Sequence, residues 1–78
     1  MSDETPSAQE WLAGLATELG LPLPSPQEIE TLLNLAGIAA HSSERMAAPI
    51  ACWMVGLAKI DPGEALSLVQ KYENERVG

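Results

Sequence analysis

The sequence predicts an all-α fold, a compact four-helix bundle with helices at about 6–19, 26–41, 49–60 and 62–75. Three observations carry this. The first ten residues of Pro49–Lys59, PIACWMVGLAK, hold no charged, amide or hydroxyl side chain. Such a segment has to be wrapped by other elements or by a partner, and it is shorter than the roughly 20 apolar residues of a bilayer-crossing helix. Elsewhere apolar residues recur three and four apart, the period of one helix face. Proline, glycine and short polar runs then punctuate the chain at three places, each with a recognisable stop or start signal. Short connections make sequence neighbours spatial neighbours, and the apolar third helix is expected near the middle of the bundle.

The first helix is expected from Pro6, with Thr5 as its cap, after a flexible tail at residues 1–4. Residues 5–78 then form a single helical domain. Ala8, Trp11, Leu12, Leu15 and Leu19 share one face of this helix. Gly20 is placed to end it in the left-handed conformation, with Leu21 folding back and Pro22 forbidding continuation. The linker LPLPSP is short and stiff because proline fixes φ and biases its predecessor toward extended geometry.

Ser25-Pro26-Gln27-Glu28 is a capping box with proline at the first helical position, the clearest start signal in the chain. Ile29, Leu32, Leu33, Ala36 and Ala40 form the expected inner face of the second helix, widened by Leu35, Ile38 and Ala39. Gly37 costs about 1 kcal/mol there relative to alanine, which is expected to be offset by close approach of another backbone, with Gly56 of the third helix at a similar level. Ala48 precedes proline, which disfavours helical geometry, so the third helix is expected to begin at Pro49. Asp61-Pro62-Gly63-Glu64 opens the fourth helix with Asp61 as cap. Ala65, Leu66, Leu68, Val69 and Tyr72 supply its inner face, and Lys71 and Arg76 suit the dipole near its end.

Composition narrows the function. The formal charge of -7 argues against nucleic acid and anionic membranes as partners. Residues 1–40 contain six acids and no Lys or Arg, while Arg45, Lys59, Lys71 and Arg76 all lie in the second half. Cys52 is the only cysteine, so no intrachain disulfide is available; within an apolar run it reads as a small inert core residue, as Met46 and Met54 read as core filler. With an acidic, polar N-terminus and no visible signal peptide, the expected location is cytoplasmic. One His and one Cys make no metal-ligand set, and no cofactor is implied. Glu28/Glu30 and Glu73/Glu75 are two apart, point to different sides of a helix and read as solvated surface. No catalytic residue and no enzyme activity are expected, because no nucleophile–base pair or cofactor loop exists.

One polar constellation remains: His41, Glu44 and Arg45, at the start of the third helix. Free N–H groups there attract negative charge. In one reading Glu44 turns back to cap the helix and Arg45 pairs with a carboxylate. In the other, His41 and Arg45 help the N-terminus hold a small anion or nucleotide-type ligand, with Glu44 in the same site. Four acidic helices also invite comparison with acyl carrier proteins, but the Asp-Ser-Leu that carries their phosphopantetheine arm occurs nowhere in the chain.

A further resemblance rests on Trp11-Leu12, Leu19-Gly20-Leu21, Leu35-Ala36, Ala40-His41, Glu44-Arg45, Ala47-Ala48-Pro49 and Gly56-Leu57-Ala58. These resemble a small bacterial helical domain of unknown function often encoded beside or fused to molybdenum-cofactor guanylyltransferase. The pattern covers roughly residues 10 to 70, and its most specific piece is His41–Pro49. The chain departs from it at Gly37-Ile38, where the family usually has a charged pair; an aspartate there that held His41 or Arg45 is missing here. The resemblance implies a helical accessory role near molybdenum-cofactor assembly. Together with the surplus of apolar helix surface, it yields the expectation of a non-enzymatic interaction module that docks on a protein partner or on itself.

Overall fold

The computed structural model describes Thr5 and residues 7–77 of the chain. The tail expected at residues 1–4 and the helix start expected at Pro6 lie outside the described residues. Four helices follow in order, α1 (Ala8–Leu19), α2 (Pro26–Ser42), α3 (Ala47–Ala58) and α4 (Pro62–Val77), with no strand among the described residues. The all-α, four-helix class is thus as the sequence predicts.

The centre of the fold is not the expected one. α2, rather than α3, packs against two other helices, with α3 and α4 both laid along it. α1 makes no comparable contact with any of them. The molecule measures 51 × 25 × 18 Å with a radius of gyration of 14.4 Å, against about 12 Å for a globular chain of this length. α3 contains no buried residue, and Trp53 is 66% exposed. α2 covers one side of α3, a helix that is apolar all round, and neither α4 nor α1 covers the rest.

Local chemistry explains each terminus. α1 starts two residues later than expected because Ser7, not Thr5, caps it. The Glu10 N–H donates to Ser7 Oγ at 3.1 Å and the Ser7 N–H donates to Glu10 Oε1 at 3.0 Å, satisfying two groups that the first turn otherwise leaves free. At the other end Gly20 adopts φ 70°, with its N–H on the Thr17 carbonyl at 3.1 Å and that of Leu21 on the Ala16 carbonyl at 2.9 Å. This is the expected Schellman closure. α2 repeats the capping box through Ser25 and Glu28 at 2.8 and 3.1 Å.

α3 begins at Ala47, ahead of the expected Pro49. A proline in the first turn lacks only an N–H that has no intrahelical partner anyway, so Pro49 fits inside α3, and Ala48 is helical despite the steric bias against that geometry before proline. Glu44 does not cap it: no side chain does. The N–H groups of Ala47 and Ala48 donate instead to the backbone carbonyls of Glu44 and Arg45, at 2.8 and 3.1 Å. α3 ends on Lys59 at φ 60°, a left-handed conformation unusual for a residue with a side chain. α4 is capped by Asp61, whose Oδ1 accepts from the Glu64 N–H at 3.1 Å.

The core is small. Leu35 is fully buried, Ala65 is 1% exposed, and Ala16 is shielded within the turn that closes α1. Leu33, expected on the inner face of α2, is 67% exposed. Positions 33 and 35 stand about 200° apart around a helix, so they cannot share a core. Gly37 and Gly56 are not close-approach glycines either, because a Cβ built on either one meets nothing within 4 Å.

Candidate functional site

Because α3 and α4 rest on α2 without closing on each other, they leave an open groove of about 640 Å³. Its floor is Ile38 and Ala39 of α2. Ile50, Met54 and Val55 of α3 form one wall, and Leu68, Val69 and Tyr72 of α4 the other. Apolar side chains that no other helix covers make this lining: Ile50, Met54, Leu68 and Tyr72 are all at least half exposed. Met54 and Tyr72, expected in the core, therefore belong to the groove surface, and exposed Met46 is not core filler either.

One end of the groove is polar. Ser42, Ser43, Glu73 and Arg76 gather there. Arg76 donates from Nε and Nη2 to the two carboxylate oxygens of Glu73, both at 3.0 Å, a forked pair one turn apart on α4. The fork holds the Glu73 carboxyl below the usual glutamate range, with the Ser42 hydroxyl adding a smaller effect, and raises the Arg76 guanidinium. Glu73 is therefore a half-buried, paired carboxylate rather than free surface. The signal was present in the sequence as an acid and a base three apart on a helix. Farther from the groove, Lys71 and Glu75 form an exposed pair at 3.4 Å.

His41 lies exposed in the last turn of α2, and Glu44 and Arg45 lie exposed in the connection to α3. No hydrogen bond or ion pair among the described residues joins these three side chains. Cys52 is a half-buried free thiol. Among the described residues no group of three or more His, Cys, Asp or Glu is placed to hold a metal ion, and no helix is long and apolar enough to cross a membrane.

A second, smaller hollow of about 130 Å³ lies under the α1 turn, where Leu21 and Pro24 return toward Leu12, Leu15 and Leu19. The outer part of that apolar face stays uncovered: Trp11 and Leu19 are each 59% exposed. The described molecule thus displays a groove on α3/α4 and a ridge on α1 as unpartnered apolar surfaces, while Leu33, Trp53 and Leu57 are exposed outside both.

Comparison with known proteins gives one family. Residues 3–75 match the domain of unknown function DUF6457, and the chain belongs to that family. Neither the curated proteins nor the solved structures contain a match to it.

Proposed function

We propose that this DUF6457 domain is a non-enzymatic interaction module that receives an amphipathic helix in the groove between α3 and α4. The observation that carries the reading is the groove itself: apolar walls and floor, open along its length, with polar groups confined to one end. A helix laying an apolar stripe into such a channel is a recurrent recognition mode, anchored at positions three and four apart. Exposed Met and Tyr suit it, since both add contact area and Met adapts to its neighbour.

Partner identity extends the proposal. The sequence resemblance supports a helical accessory role for the domain near molybdenum-cofactor assembly, in the cytoplasm. An anion held at the α3 N-terminus by His41 and Arg45 has less support, because the N–H groups of Ala47 and Ala48 are already taken and Pro49 has none.

Co-purification from the native host, run with the native chain and with Met54→Asp, tests the docking reading. Met54 is 59% exposed, so the substitution should leave the packing of α2, α3 and α4 within the chain intact. The expected result is at least one protein retained by the native chain and lost with the variant. Equal retention by both would contradict the reading.

A further inference from the structure

We infer that the helix received in the groove is α1 of a second copy of this chain, exchanged reciprocally in a homodimer. The inference rests on the docking reading above and names the occupant.

The groove and the α1 ridge match in length and character. α1 has 12 residues and α3, the shorter groove wall, also has 12, so each is about 18 Å long. α1 presents Trp11, Leu15 and Leu19 at four-residue spacing, the stripe that a groove walled by Ile50, Met54, Leu68 and Tyr72 accepts. A helix this short is marginal alone in water, yet α1 is capped at both ends and packs on no other helix substantially. Its apolar ridge is built for something outside its own chain.

The exposed area agrees. The chain exposes 6070 Å², whereas a globular monomer of this mass exposes about 4,600 Å². An exposure above the globular value fits a chain whose apolar groove and ridge are covered only on association. Charge agrees as well. α1 carries Glu10 and Glu18 and no base, while Arg45 and Lys59, at the two ends of α3, have no ion-pair partner among the described residues.

Closure within one chain is opposed by the linker. The Schellman turn fixes its start, the Ser25–Glu28 box fixes its end, and Pro22 and Pro24 stiffen the residues between. With its linker so constrained, α1 makes no substantial contact with α2, α3 or α4, an arrangement that favours exchange of an element between copies.

The test mixes two chains, both Cys52→Ser. One carries Leu15→Cys, the other, labelled with ¹⁵N, carries Met54→Cys; they are refolded together, oxidised and weighed by mass spectrometry. A disulfide joining position 15 of one chain to position 54 of the other should predominate several-fold over both symmetric products. Predominance of symmetric products, or no covalent dimer, overturns the inference. So does an internal disulfide at single-chain mass when both cysteines are placed in one chain. If the mixed disulfide fails while Met54-dependent retention of another protein persists, only the occupant is wrong; if both fail, the docking reading falls with it.

Discussion

α1 and α3 have the same length and opposite supports. α1 holds itself together locally, with a reciprocal capping box at one end and a Schellman closure at the other, and packs on no other helix substantially. α3 has no side-chain cap, ends on a strained lysine, and owes its helix to packing on α2. Hydrogen-bonded caps and tertiary burial are therefore separable sources of helicity, and this chain assigns one to each. The difference also sorts their roles. A self-sufficient helix can be held out as an arm, whereas a helix that depends on its neighbour is suited to be the wall of a receiving groove.

The largest effect that would break this contrast is at Leu35. It is fully buried on α2, so Leu35→Ala should cost about 2–5 kcal/mol in chemical denaturation and should loosen α3 and α4 together. At high dilution, where the chain is single, amide exchange in α1 should change least. Uniform loss of protection through all four helices in a monomer would show that α1 is not independent.

Caps give the next effects. Ser25→Ala should lower the unfolding free energy of the α2–α4 unit by about 1 kcal/mol, read from the denaturant midpoint. Ser7→Ala should leave that unit unchanged at high dilution and act on the arm alone, weakening self-association about fivefold, the equivalent of about 1 kcal/mol. Of similar size and opposite sign, Lys59→Gly should stabilise by about 1 kcal/mol, because glycine takes the left-handed conformation without strain. Gly37→Ala should also stabilise, by up to about 1 kcal/mol, since the added methyl meets no neighbour.

The smallest effect concerns pH. Glu73 has its pKa lowered by the Arg76 fork, so the native state holds the ionised carboxylate more firmly than the unfolded chain does. That contribution is present at neutral pH and is lost as acid titrates through and below the ordinary glutamate range. Arg76→Ala should flatten this part of a stability-against-pH curve slightly, and an unchanged curve would show that the fork is inert.

Much of this architecture was legible in the residues. Ser25-Pro26-Gln27-Glu28, Gly20-Leu21-Pro22 and Asp61-Pro62 each mark a boundary by local chemistry, and the structure keeps all three. Ser7-Ala8-Gln9-Glu10 is a signal of the same kind, masked by the competing Thr5-Pro6 pattern. Which helix sits at the centre was not legible. Ten uncharged residues on α3 establish that it must be covered, but they do not say whether its own chain or another does the covering. The groove depends on the splay between α3 and α4, which no residue spacing encodes. His41, Glu44 and Arg45 stand out in the sequence as polar residues between apolar helices, whereas the polar groups that sit at the groove are Ser42, Ser43, Glu73 and Arg76.

The central claim, that a second copy covers the groove, is tested most directly by sedimentation equilibrium of the full chain beside Met54→Asp at tens of micromolar. The account predicts twice the chain mass for the native protein and the single mass for the variant, with α2, α3 and α4 still helical by circular dichroism. A native chain that stays at single mass across that range would contradict it.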